Sequence, residues 1–359
     1  MGKNKIGIKP CTILGYYFTI TLTWMIAFFF LLTFQMNQYS SLSIMQLEHI
    51  NSTMLSGVIA GFIWGTIFKI AQKLKAHIPL FFLSILLSVL VNISSAYLLI
   101  YSMYNLGGLF TFSDFPQNFS QLIDLYNSQL FYTILIYFFI VGTLIEIFHD
   151  IDKKLGKGIL IKFLLGRYYK PKEEERIFLF MDLKSSTYYA EKLGHFKYSR
   201  LIQDCFKDIS SSVMKNNAEV YQFVGDEVVL TWKLEKGIEQ LRCVKLFYDF
   251  LETIDKKKEY YQTNYGMIPV FKAGIHSGKV MVAEVGELKS EIAYHGDAIN
   301  TASRIQGLCN NYNSRLLVSG DLLKELKQKN ELSLQVNFIA KVLLAGKEQS
   351  TNLYTFSSN

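Results

Sequence analysis

Apolar runs of near-bilayer length before residue 150 constrain this chain more than any other feature. Four can be drawn, at about 13–34, 53–71, 79–102 and 131–149, each near the roughly 20 residues a helix needs to cross a hydrocarbon core. The second is the weakest. Half of the 359 residues are hydrophobic, and the excess lies almost entirely in this first part. The pattern predicts an α-helical transmembrane domain of about four spans over residues 1–150.

Charge at the connections predicts the orientation. Lys3, Lys5 and Lys9 precede the first run, Lys69, Lys73 and Lys75 end the second, and Lys153, Lys154 and Lys157 follow the fourth. The loops 35–52 and 103–130 hold no Lys or Arg, so both termini are expected on the cytoplasmic side of a plasma membrane, a bacterial inner membrane. A cleaved signal peptide fits poorly, because the first run is too long and no small-residue cleavage site follows it. The opening Met-Gly lacks the hydroxyl residue at position six that myristoylation wants. No charge occupies the middle of a run, and Glu146 and His149 lie near the inner end of the fourth, which argues against a transport or proton path.

Cys11, Cys205, Cys243 and Cys309 have no paired spacing, which fits a reducing cytosol without disulfides or a zinc knuckle. The net charge of +7 is explained by basic residues beside the spans, which suit anionic membrane lipids. No basic stripe with interleaved aromatics is present, so no nucleic-acid partner is expected.

Residues 151–176 form a linker with a basic start, an amphipathic middle (Ile159, Ile161, Phe163, Leu164) and an acidic run after Pro171. It suits an interfacial helix or a coupling helix that pairs with its copy. Residues 177–359 alternate apolar strands with helical periodicity, the pattern of an α/β or α+β domain. "RIFLFMDL" reads as a buried strand ending near Asp182. The following helix has the stripe Tyr198, Leu201, Ile202, Cys205, Ile209 and Val213. A hairpin from about 218 to 233 has its turn in "QFVGDEVVLTW", and "FKAGIHSGKVMVAEVG" reads as two strands around a Ser-Gly turn. "GDAINTASRIQGLC" is a helix capped by Asp297, and "RLLVSG" and "FIAKVLLAGKEQSTNLYTF" supply the late strands.

Asp182, where a strand meets a helix start, stands at the crevice position of open α/β sheets, although a lone Asp there is commonly a cap. Asp226 alone is an ordinary turn acid beside Gly225, and Glu227 reads as a turn residue. Together, on adjacent strands, Asp182 and Asp226 could share two divalent cations, Mg²⁺ or Mn²⁺. The backbone N–H groups from Leu183 to Thr187 enter a helix start that favours phosphate. The chain has no GxxxxGK[ST] and no Gly-Gly-Asp-Glu-Phe stretch. Asn300 and Arg304, four apart, share one helix face beside the apolar stripe of Ala298, Ala302, Ile305 and Cys309; a lone Arg in such a place is commonly a solvated ion-pairing group. Lys347 by itself is a loop lysine.

"FMDLKSST", "QFVGDEVVLTW", "AGIHSGKV", "AYHGDAINTASR" and "LLAGKEQSTNLYTF" occur in the order and approximate spacing of the class III nucleotidyl cyclases, and residues 178–357 resemble that catalytic domain. The resemblance implies an α+β, ferredoxin-like fold and a two-metal cyclase acting on ATP, with GTP as the alternative. It places Asp182 and Asp226 on the metal aspartates and Thr187 on the phosphate loop. Asn300 and Arg304 fall on the pair that orients the ribose and stabilises the transition state. Lys347 matches a triphosphate lysine, and Lys279 more loosely a basic phosphate contact. It further implies a head-to-tail homodimer with two equivalent sites. The chain departs from the family at the purine-reading positions, which hold Gln222 and Ala293 instead of a Lys with Asp or Thr, or a Glu with Cys. Gln can donate and accept, whereas Ala offers the base no side-chain hydrogen bond. Many anchored relatives have six spans where four are expected here. A silent nucleotide-binding module and a transporter with a regulatory domain are the readings from other classes.

Overall fold

The computed structural model describes residues 10–36, 45–75, 81–106, 118–127, 129–156, 158–329 and 335–357. Lys3, Lys5, Lys9 and Lys157 and parts of the two lysine-free loops, 37–44 and 107–117 with residue 128, lie outside the described residues. The chain divides into two units, Met1–Ile151 and Asp152–Asn359.

The first unit consists of helices α1 (Pro10–Met36), α2 (Met45–Lys75), α3 (Phe81–Leu106) and α4 (Phe119–Tyr126), with most of α5 (Gln129–Leu155). The four long helices overlap the four apolar runs. Among the described residues, Met54–Gln72 and Phe131–Leu155 are long and apolar enough to cross a membrane, while the apolar stretches Gly15–Phe30 and Val89–Leu99 are shorter. The run that looked weakest thus meets the length criterion. Its glycines explain the difference: they lower its hydrophobicity and serve packing instead. A Cβ on Gly61 would lie 2.5 Å from Thr21 Cα, so only a small residue lets α1 and α2 approach this closely. Trp24 stacks on Phe138 at 4.3 Å, and Trp64 Nε1 donates to Asn92 Oδ1 at 2.8 Å. Phe18, Phe30, Phe62 and Ile136 turn outward, each more than half exposed.

The second unit is built on a mixed sheet. After the short helix α6 (Ile159–Leu164) come β1 (Lys172–Leu183), α7 (Ser186–Lys215), β2 (Glu219–Val224) and β3 (Glu227–Lys233). Next are α8 (Leu234–Ile238), α9 (Arg242–Lys256), α10 (Lys258–Tyr265), β4 (Phe271–Val285) and β5 (Glu291–His295). Then come α11 (Asp297–Gly307), β6 (Leu316–Ser319), α12 (Gly320–Gln328), β7 (Gln335–Val342) and β8 (Thr351–Ser357). The strand order is β2-β3-β1-β4-β6-β8-β7, with β5 paired to β4 off this path. Among the described residues only β4 and β6 run parallel.

Alternation along β1 separates two cores. Ile177, Leu179, Met181 and Leu183 face α7, α9, α10 and α12, and Phe178 and Phe180 face α11 with Val280, Val282, Ala298 and Ala302. Asp182 has the parity of the α11 face. The expected stripe of α7 is real, but the helix is interrupted at Gly194, whose φ is 70°.

Three expectations are corrected. The acidic run Glu173–Glu175 lies on β1 and not in the linker. The two strands expected around Ser277-Gly278 are one strand of 15 residues. Its glycines admit α11: a Cβ on Gly274 would lie 2.2 Å from Gln306 N, and one on Gly278 would lie 2.9 Å from Ala298 Cβ. Asp297 is the first residue of α11 and not its cap, which falls on Gly296. Its carboxylate instead accepts from Thr301 Oγ1 at 3.2 Å and pairs with Lys347.

Candidate active site

Antiparallel pairing brings the two aspartates together. Met181 pairs with Val228, and Val224 pairs with Glu227 across the hairpin turn. Gly225 takes a φ of 59°, a conformation that costs glycine little, and so sets Asp226 beside the end of β1. Burial, hydrogen bonding to Asp226 and its negative charge push the Asp182 carboxyl above the usual range. Gln306 Nε2 donates to Asp182 Oδ2 at 3.2 Å, and Lys272 Nζ lies 3.5 Å from the same oxygen.

Asp226 Oδ2 is buried and has no hydrogen-bond partner. An orphaned carboxylate oxygen beside a second carboxylate is costly unless a cation sits against it. The pair therefore fits a divalent cation. Among the described residues no three His, Cys, Asp or Glu side chains converge on one point, so further oxygens would have to come from water or phosphate, as Mg²⁺ sites commonly arrange. Glu227 is not the plain turn residue expected: burial and the charges of Asp182 and Asp226 push its carboxyl up to about 7. Thr187 is the second residue of α7, exposed where that helix begins.

A second group lies on the outer face of α11. Asn300 is exposed, and the Arg304 guanidinium rests 3.6 Å from where a Cβ on Gly346 would stand, against the β7–β8 connection. Among the described residues Arg304 has no carboxylate partner. Lys347 Nζ holds Asp297 Oδ2 at 2.7 Å and pulls the Asp297 pKa below its ordinary value. No hydrogen bond or ion pair among the described residues joins this group to the Asp182 group. A cleft of about 150 Å³ between α12 and β8, beside Asp321 and Tyr354, contains none of these residues.

Three expected contacts stand apart from both groups. Lys279 has the parity of the opposite sheet face and is tied to Glu173 Oε1 at 3.0 Å on the surface. Gln222 is exposed on the edge strand β2, at a bulge that skips Tyr221, and Ala293 is buried on β5. Sequence reading missed Lys272 and Gln306 altogether. Only the β1–β4 register, in which Asp182 pairs with Lys272, reveals the first.

Comparison with known proteins gives one family. The model of the adenylate and guanylate cyclase catalytic domain matches residues 168–357. Adenylate cyclase 2 of Rhizobium meliloti is 36% identical over 173 residues, 48% of each chain. An adenylate cyclase of Anabaena cylindrica is 23% identical over 179 residues, 49% of this chain and 35% of that one. A receptor-type guanylate cyclase of Caenorhabditis briggsae is 24% identical over 160 residues, 44% of this chain and 14% of that one. The chain thus spans about half or less of these relatives. Among solved structures, a bacterial light-regulated adenylyl cyclase superposes with a TM-score of 0.51 at 17% identity, over 60% of this chain and 62% of that one, a likeness of fold.

Proposed function

Residues 168–357 make this chain a member of the adenylate and guanylate cyclase family, and from that membership we propose that it converts ATP to 3′,5′-cyclic AMP and pyrophosphate as a membrane-anchored homodimer. The observation that carries this reading is the Asp182–Asp226 pair, with a buried carboxylate oxygen that no protein group satisfies.

In the reaction the ribose O3′ forms a bond to the α-phosphorus, the bond from that phosphorus to the bridging oxygen of pyrophosphate breaks, and the hydroxyl proton passes to solvent. Asp182 and Asp226 would hold the divalent cations, which when bound supply positive charge that lowers the pKa of the 3′-hydroxyl and neutralises the triphosphate. Lys272 and Gln306 hold Asp182 from the protein side. Arg304 stabilises charge growing on the α-phosphoryl oxygens, and Asn300 orients the ribose. Lys347 is already charged and positioned by Asp297; with two further donors it can reach a triphosphate oxygen from there. Thr187 and the N–H groups before it offer the phosphates a helix start.

The separation of the two groups on one chain supports a dimer in which each partner completes the other's site. The apolar outward faces of α1, α2 and α5 and the two stretches of spanning length support membrane anchoring, with the catalytic unit on the cytoplasmic side. A second reading, cyclisation of GTP, rests on Gln222, whose exposed amide can donate and accept and so suits either purine. The purified full chain with Mn²⁺ or Mg²⁺ and either ATP or GTP tests the proposal. Cyclic AMP is expected to predominate, and absence of both cyclic nucleotides sinks the reading.

A further inference from the structure

Arg176 on β1 has no exposed surface, and nothing in the reaction uses it. Removing a guanidinium from water costs several kcal/mol unless partners replace the lost solvation, and here they come from several strands. Its Nε donates to Glu174 Oε2 at 3.0 Å on its own strand. Both terminal nitrogens reach Glu219 Oε2 on β2 at 3.3 Å, and one reaches Thr231 Oγ1 on β3 at 3.3 Å. Lys162 Nζ of α6 shares that Glu219 oxygen at 3.0 Å. The guanidinium carbon lies 4.8 Å from the ring centre of Tyr294 on β5, a cation–π contact.

The same Tyr294 ring meets Tyr221 edge-on at 4.9 Å and Phe178 at 5.4 Å. Tyr221 and Tyr294 are the chain neighbours of Gln222 and Ala293. The bulge at Tyr221 shifts the register of β2 where Gln222 is aimed outward, and bulges commonly re-aim side chains beside sites. One planar, multiply bonded group thus helps fix β2 to β5, two strands that are not paired as neighbours in the sheet. Well-packed apolar residues could fill such a space at no loss of stability, so stability alone is a weak reason for a buried ion pair. Fixed geometry is a stronger one.

Resting on the cyclase reading above, we propose that Arg176 and Glu219 are positioning residues for purine selection: they set the spacing between Gln222 and Ala293, and that spacing decides how well adenine and guanine are told apart. Arg is suited to this because its planar fork fixes direction as well as charge, which Lys does not.

The test measures cyclic AMP and cyclic GMP formation by the full chain from ATP and GTP, in wild type, Arg176→Lys, Glu219→Gln, Tyr294→Leu and Tyr294→Phe. The first three variants are expected to move the ATP-to-GTP ratio of kcat/KM by roughly five- to ten-fold, mainly through KM. Tyr294→Phe keeps the ring and is expected to keep the wild-type ratio. If Arg176→Lys does not fold, Glu219→Gln and Tyr294→Leu report on the same spacing. A ratio unmoved in the variants that fold, while both activities fall together, overturns the inference and leaves the cyclase reading standing. Absence of both products from wild type overturns the cyclase reading and the inference with it.

Discussion

His276 shows how a residue can be fixed by the site without belonging to it. It is buried on β4, its Nδ1 lies 2.8 Å from Ser319 Oγ, and burial together with the nearby positive charge of Lys347 lowers its pKa to about 4, against the weaker opposing pull of Asp321 and Asp297. A depressed folded-state pKa means that the unfolded chain binds the proton first as pH falls below 6.5. The stabilisation is therefore complete above pH 6.5 and is lost as pH falls towards about 4, to the extent of about 2–3 kcal/mol. Denaturant midpoints measured across that window should drop for wild type and drop less for His276→Gln; equal slopes would refute the assignment. The aspartates, Asn300, Arg304 and Lys347 can be nominated from sequence alone because their motifs are short and local. Lys272, Gln306 and Arg176 were not, because what each touches depends on strand register and on which helix crosses the sheet. Glu227 was misread for a related reason: a turn acid looks the same on paper whether it faces water or two other carboxylates.

Strand β4 and helix α11 form the element on which both groups of candidate residues lean, since Gln306 holds Asp182 from one end of the helix while Asn300 and Arg304 occupy its outer face. Ser277-Gly278 looked like a turn because Ser and Gly are common in turns. In the fold Gly274 and Gly278 are instead the flat places on which α11 rests. The clash at Gly274 is with backbone, which cannot swing aside, so Gly274→Ala should destabilise by about 1–3 kcal/mol. Cyclase activity should fall with it as Gln306 is pushed from Asp182. A thermal midpoint within a degree of wild type would show that the helix yields more easily than its packing indicates. The order of strands and helices is otherwise well marked by period and by turn residues: the hairpin of β2 and β3 lies close to its expected bounds, while β1 begins four residues before the expected Arg176.

Across the whole molecule, the separation of the Asp182 group from the Arg304 group makes a quantitative demand on any shared site. Asp182→Ala and Arg304→Ala chains should each lose activity by about 10²–10³-fold or more. Mixed one to one and allowed to exchange, half of their dimers hold one intact site, and activity should return to about one quarter of the wild-type level. No recovery in a mixture shown to exchange subunits would rule out head-to-tail sharing. The same geometry has a consequence for inheritance. If the site is shared head to tail, an altered copy of the gene that has lost only Asp182, or only Arg304, still lends its good half to a normal partner, so in a cell carrying both copies the output falls only to about half. A copy that has lost both residues contributes to no site and spoils every partner it meets, leaving about one quarter. In such a dimer, damage to one of the two residues costs no more than losing that copy, whereas damage to both is dominant negative.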